Sequence, residues 1–430
     1  MASSTTAATR WCASAARVIR KDGKIDDAPA PPGSSWVKFP PLAVGDTIDV
    51  EARIDTVRVG IFGNYFGVRH LFHGLGMAAT RHSEQIYVAP SDRELHFSKR
   101  NGAPEPKITK DTESNTSTYR FALDGLKKLQ IESSMPDPIE YSPSVSVSTY
   151  GKWEDFTAWW WNLIEKECQS SPAIRDKVAE LLKGKTTREE KMRAIYDFVV
   201  TDVRYNAWEF GCTGYRPYNA STIFDRRYGD CKDKAILIKT MLNAAGIEAY
   251  PVLIFADDRR PKEDMSLPMV GLFNHCIAWV PDGDGVAPMF LDGTARSHPM
   301  GVLPDMDHGA RVVVVKDGKP LLMDVGYPAA GANLDAVELR LALQPDGSAK
   351  GTLVMRPKGN YDVRMREIYG SEQGAQKENL ERFLSPHLGR TKVSELTTSD
   401  LTNLDVPVEV RATIEVEKLA KSKAMIWRSR

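Results

Sequence analysis

The sequence predicts an α+β protein of several modules, and three observations carry that prediction. Short period-two runs occupy Asp46 to Thr149, helix-length apolar patterns occupy Trp153 to Gly246, and strand patterns return from Glu248 onward. Helices followed by an antiparallel sheet define the class. At 430 residues the chain also exceeds the size at which one hydrophobic core usually stops growing. Modules at 1–150, 151–330 and 331–430 are the expected organisation.

The elements follow in order. Met1 to Arg20 is rich in Ser, Thr and Ala and lacks acids, which reads either as a transit peptide or as a trimmed chain start. Ile48, Val50, Ala52 and Ile54 then alternate with polar residues, and similar runs at Ile86 to Val88 and Tyr119 to Ala122 read as an N-terminal β-sandwich. The turn-rich intervals Pro104 to Thr118 and Pro136 to Ser144 punctuate it, the second as an exit linker. Helices are expected at Trp153 to Cys168, Ala173 to Leu182 and Thr187 to Val200, the last opened by a Thr187/Glu190 capping box. The Trp159-Trp160-Trp161 run could face a sugar or a membrane, but Phe156, Trp160 and Leu163 at i, i+4 and i+7 favour core packing.

After the loop Gly211 to Tyr218, Asp230 caps a helix that runs through Ile236, Leu237, Ile238 and Leu242 and stops at Gly246. Strands follow at Glu248 to Phe255, Phe273 to Val280 and Pro288 to Leu291. Ala256 to Leu272 is long for a hairpin connection and reads as a mobile flap or an inert insertion. Beyond Asn333 alternation resumes at Val337 to Leu341 and Gly351 to Met355, with a helix-like stretch from Tyr361 to Leu384 and a strand near Val408 to Val416. That C-terminal β-rich module reaches Arg430 without a clear stop and reads as truncated.

Composition narrows the function. Lys plus Arg and Asp plus Glu number 57 each, so no bulk charge attracts nucleic acid or an anionic membrane. Nothing approaches the roughly 18 consecutive apolar residues of a membrane span, and no secretory signal opens the chain. The five cysteines show no CxxC pairing, and neither HExxH nor EF-hand spacing occurs. No metal and no cofactor is expected.

Chemistry is legible at Cys231, His275 and Asp292. With Asp230 as N-cap, Cys231 falls in the first helical turn, where free N–H groups and the helix dipole favour a thiolate. The alternative is a buried structural cysteine, for which the charged run Asp230-Cys231-Lys232-Asp233-Lys234 is a poor setting. His275 lies on a strand, so the adjacent Cys276 points away from it, and any thiol it serves comes from elsewhere in the fold. Asp292 ends the next strand, where it could orient an imidazole or simply begin an Asp-Gly turn. Singly each has a structural reading; together they form a nucleophile, a base and an orienting acid.

The segment Tyr228-Gly229-Asp230-Cys231-Lys232-Asp233-Lys234-Ala235, with Ala245-Gly246-Ile247, Asn274-His275 and Leu291-Asp292, resembles the bacterial transglutaminase-like proteins. The preceding β module resembles the domain of unknown function DUF3857 that is fused to such cores. The resemblance implies a papain/transglutaminase-like cysteine core, with Cys231 attacking an amide carbonyl, His275 moving the proton and Asp292 holding the ring. Gly293 departs from the proline usual after the acid. For the oxyanion the Cys231 N–H is the natural first donor, and Tyr205 and Trp208 are candidates for the second, unless both rings only pack beneath the loop. Relatives of this architecture are commonly exported, which implies a cell-envelope location; without a signal the chain alone reads as cytoplasmic.

The expected partner is a protein or peptide substrate, cut by water or joined to an amine. From a different class comes a binding or scaffolding protein that keeps the fold without turnover. A redox pairing of Cys212 with Cys231 is disfavoured by the missing CxxC spacing.

Overall fold

The computed structural model describes residues 9–28, 36–56, 60–207, 214–370 and 373–420. It divides into two compact units, Met1–Phe66 with Trp208–Arg216, and Gly67–Ala207 with Pro217–Arg430. In the first, β1 (Thr9–Ile19) lies between β2 (Ile25–Asp27) and β3 (Thr47–Thr56) in an antiparallel sheet. Arg20 closes its base, donating to Asp26 at 2.7 Å and Asp46 at 2.8 Å. Thus part of the acid-free opening segment forms a paired strand. Ile48 and Val50, whose alternation marks β3, stay 46% and 47% exposed.

The second unit opens with β4 (Gly67–Leu71), β5 (Thr80–Pro90), β6 (His96–Arg100), β7 (Lys107–Asp111), β8 (Thr116–Leu126) and β9 (Ser144–Ser148). They form antiparallel sheets ordered β4-β9-β6 and β5-β8-β7. Phe72, Tyr87, Phe121, Val145 and Val147 cluster in their shared core, as period-two strands with one buried face require.

The helices α1 (Trp153–Ile164), α2 (Pro172–Leu181) and α3 (Arg188–Asp202) follow. The Thr187/Glu190 capping box forms at the start of α3, with each side chain bonded to the other's backbone N–H. Phe156 and Trp160 are buried, so the tryptophan run serves the core. Next come β10 (Arg204–Tyr205), α4 (Ala220–Arg226), β11 (Tyr228–Gly229) and α5 (Cys231–Ala244), the last buried from Cys231 through Leu242. The five-stranded antiparallel sheet is built from β12 (Tyr250–Ile254), β13 (His275–Val280), β14 (Met289–Leu291), β15 (Arg311–Lys316) and β16 (Lys319–Asp324), in the order β14-β13-β12-β15-β16. Cys276, Ala278 and Val280 share a hydrophobic cluster with α5, while Ile277 and Trp279 belong to a separate cluster. This alternation sends Cys276 away from His275.

The 256–272 segment, read as a mobile flap or an inert insertion, is hydrogen-bonded to its surroundings. Ser98 donates to Asp264 at 2.6 Å, Lys262 N to Glu140 at 2.8 Å, and Trp153 Nε1 to the Met265 carbonyl at 2.9 Å. Asn274 clasps its start, accepting from Ala256 N at 2.7 Å and donating to Ala256 O at 3.0 Å. These partners come from the sandwich module, α1 and the residue before β13, so the segment joins them.

The C-terminal module pairs β17 (Val337–Leu343), β18 (Ala349–Met355), β19 (Thr391–Thr398) and β20 (Val410–Val416) in the order β17-β18-β20-β19. The helix-like stretch resolves into α6 (Asn360–Tyr369) and α7 (Gln373–Leu388), which pack on this sheet through Met365, Tyr369, Leu380 and Leu384. No helix among the described residues is long and apolar enough to cross a membrane.

Candidate active site

Cys231 is the first residue of α5, and the turn before it is built to hold it there. Asp230 accepts from Asp233 N at 3.1 Å, and Asp233 accepts from Asp230 N at 3.3 Å, a capping box in which both members are acids. Asp233 also accepts from Tyr218 N at 2.9 Å and Arg226 at 2.6 Å. The Arg226 guanidinium lies over the rings of Tyr218 and Tyr228, 4.1 and 4.6 Å from their centroids. Two carboxylates beside a thiolate would oppose it, but each has its own cation, Lys232 on Asp230 and Arg226 on Asp233. Burial and the Asp230 charge push Asp233 up to about 6. Gly229 is a steric necessity, since a Cβ there would sit 2.6 Å from Asp233 Cβ.

His275 opens β13 and Asp292 follows β14, the strand paired with it. The imidazole Nε2 donates to Asp292 Oδ2 at 3.2 Å, and the ring is hydrogen-bonded to Cys231 as well. The residues predicted from sequence to act together are therefore brought together. Burial opposes the imidazolium, but the charge and hydrogen bond of Asp292, with the bond to Cys231, hold the His275 pKa well above the usual histidine value.

Asp292 is 2% exposed, and its other oxygen accepts from Thr294 N and Oγ1, each at 2.7 Å. Burial again opposes the charge, yet His275 and Thr294 keep the carboxyl below the ordinary range. Tyr196 steadies the same loop, its hydroxyl 3.3 Å from the Asp292 carbonyl and 3.2 Å from that of His298. At Gly293 an added Cβ would lie 3.0 Å from both Lys234 Cβ and Ile238 Cδ1 of α5, a tight contact. A side chain at this position would require α5 side chains to shift by a few tenths of an ångström. Lys234 donates to the Val203 carbonyl, and its burial lowers it to about 8.

Tyr205 sits on β10, opposite Gly229 in a short parallel pairing, and Asn206 N donates to the Gly229 carbonyl at 2.8 Å. Tyr205 is 44% exposed. Trp208 and Cys212 lie outside the described residues. Sequence reasoning missed Thr294, Arg226 and Asp307. Asp292-Gly293-Thr294 carried a signal for the first, an Asp accepting from the backbone two residues on. Arg226 and Asp307 carried none. Among the described residues, His275, Asp292 and Asp307 form a group whose possible ligand atoms all lie within 4.8 Å of one another.

Residues 175–284 match the model of the transglutaminase-like superfamily, and residues 34–129 match DUF3857, a domain of unknown function with a solved structure. No curated protein matches the chain. Among solved structures, a candidate protease from Parabacteroides distasonis aligns with a TM-score of 0.54 at 15% identity, covering 95% of this chain and 84% of that one. A candidate cysteine protease from Cytophaga hutchinsonii aligns at TM-score 0.23 and 14% identity over 54% of this chain and 78% of that one. Red sea bream transglutaminase aligns at TM-score 0.21 and 12% identity over 69% of this chain and 68% of its own. The chain thus has the transglutaminase/papain-like fold, with a match to the transglutaminase-like superfamily over residues 175–284 and a DUF3857 match ahead of it.

Proposed function

We propose that the protein carries out cysteine-dependent acyl transfer or hydrolysis at an amide bond of a protein or peptide. The observation that supports this most is the continuous run from Cys231 through His275 to Asp292 at the N-terminus of a buried helix. In this reading the Cys231 thiolate attacks the carbonyl carbon, and the carbonyl electron pair moves to oxygen. Collapse of that tetrahedral species breaks the C–N bond as His275 gives its proton to the leaving amine, leaving a thioester on Cys231. Water or a second amine then attacks the thioester. His275 takes the nucleophile's proton, and the thiolate–imidazolium pair is restored. Asp292 keeps the ring oriented and stabilises its charge.

The Cys231 backbone N–H is the first donor to the oxyanion, and Tyr205, one strand away, is proposed as the second. Tyr205→Phe is then expected to lower kcat by about 10- to 100-fold with KM little changed, since the donor acts on charge that develops after binding. An unchanged kcat assigns the ring to packing.

The reaction itself is tested by incubating the protein with a peptide library, with and without a primary amine, and reading products by mass spectrometry. New peptide termini mark hydrolysis and amine adducts mark transfer. Either must vanish in Cys231→Ala; products that persist in that variant overturn the reading.

A further inference from the structure

Asp307 is fully buried in a short helical turn after the sheet's β14, and among the described residues neither of its carboxylate oxygens has a hydrogen-bond partner. One of its oxygens also lies within 4.8 Å of a ring nitrogen of His275 and of a carboxylate oxygen of Asp292. Two carboxyls enclosed this closely cannot both ionise at ordinary cost. Their surroundings decide which one gives way. Asp292 accepts from His275 Nε2, Thr294 N and Thr294 Oγ1. Asp307 accepts from no donor.

We propose that Asp307 is a positioning residue that acts through Asp292 and His275: it keeps the proton of this carboxyl pair, and on releasing it adds a second negative charge behind the imidazole. The role rests on the reading of Cys231, His275 and Asp292 given above. The base strength of His275 is then set by the charge state of Asp307.

The groups facing Asp307 agree with this assignment. From β13 comes His275 and from the loop after β14 comes Asp292. Arg260 approaches from the 256–272 segment, but its guanidinium is engaged with Glu263 at 3.1 Å and with the carbonyls of Met306 and His308. From α3 comes Tyr196, whose burial raises it well above the usual phenol value and so keeps it neutral. Burial, reinforced by the Asp292 charge, pushes the Asp307 carboxyl up to about 7.

Asp307→Asn keeps the shape and fixes the neutral form. The titration of His275 is followed by the ring Cε1–H signal of histidine-labelled protein, assigned among the eight histidines by its loss in His275→Ala. Without the second charge, the His275 midpoint in Asp307→Asn is expected to fall by about one to two pH units. A second readout uses folding. Because the folded carboxyl titrates near 7 rather than at the ordinary 3.8, its ionisation costs wild-type stability progressively between those values, and the cost is fully present above 7. The Tm of Asp307→Asn should therefore match wild type near the lower value, exceed it increasingly as pH rises, and keep a constant lead beyond the upper one.

Equal His275 midpoints overturn the proposal. So does an Asp307→Asn Tm below wild type across the range, which would mean a donor serves the carboxylate. If EDTA moves the wild-type midpoint but not the variant's, a cation rather than a proton occupies the carboxyl, and the proposal also falls. Neither readout uses turnover. A protein with the midpoint shift and no amide chemistry sinks only the catalytic reading, and turnover without the shift sinks only this one.

Discussion

Asp292→Ala is expected to lower kcat/KM by about 10²- to 10⁴-fold, a loss of roughly 3 to 5 kcal/mol in transition-state stabilisation. The substitution strands His275 Nε2, Thr294 N and Thr294 Oγ1 in a buried space. It also removes the larger of the influences that overcome burial at His275, leaving only Cys231 to oppose burial, so the ring's pKa falls. The imidazolium is then held less firmly and serves less well as counter-ion to a thiolate. Asp292→Asn keeps an acceptor and should lose less. Steady-state kinetics of the three proteins, with folding checked by circular dichroism, makes the comparison. The same residue carries a pH signature. Its folded pKa lies below the ordinary 3.8, so it contributes stability above that value and loses it as pH falls through the depressed folded value. Asp292→Ala should lack that component of acid unfolding.

Gly229→Ala should be nearly as damaging despite adding one methyl group. The new carbon would lie 2.6 Å from Asp233 Cβ and 2.9 Å from Asp233 Oδ2, and Asp233 cannot yield without releasing Tyr218 N, Arg226 and Asp230 N together. Overpacking of this kind costs about 1 to 3 kcal/mol. The greater effect is on chemistry, because the displaced turn carries Cys231, and a shift of about 1 Å in a reacting group can cost about 100-fold. Gly271→Ala is the control: nothing lies within 4 Å of its added carbon, so melting temperature and activity should stay unchanged. Thermal melts and kcat measured on both variants check the pair. A Gly229→Ala protein that behaves like Gly271→Ala would mean the Cys231 turn is looser than its hydrogen bonds imply.

The legible parts of this fold are those whose signals are local. Asp230 before an apolar helical run marked the start of α5, and Thr187 with Glu190 marked α3, because a cap needs only neighbouring residues. Strand alternation gave β12, β13 and β14, and with them the opposite directions of His275 and Cys276. The pairing of Asp292 with His275 was assigned by resemblance as much as by pattern. The hairpin of β15 and β16 was overlooked although its turn was signalled by Asp317-Gly318, both with positive φ, between an all-valine run and another apolar run. The pinned 256–272 segment was not legible, because Asp264 finds Ser98 across 166 positions of sequence. Asp307 was hidden for the same reason. Flanked by Asp305, Met306 and His308, it reads as a solvated turn, yet the fold buries it completely.

The measurement that bears most directly on the catalytic assignment is the pH-dependent alkylation of Cys231 by iodoacetamide, quantified by mass spectrometry in wild type and in His275→Ala. The other described thiols provide an internal reference, since Cys276 is buried in the core and burial raises Cys168 to about 12. Selective labelling of Cys231 near neutral pH that collapses in His275→Ala is the expected result. Slow labelling that the substitution leaves unchanged would contradict the assignment and leave a transglutaminase-like fold used for binding.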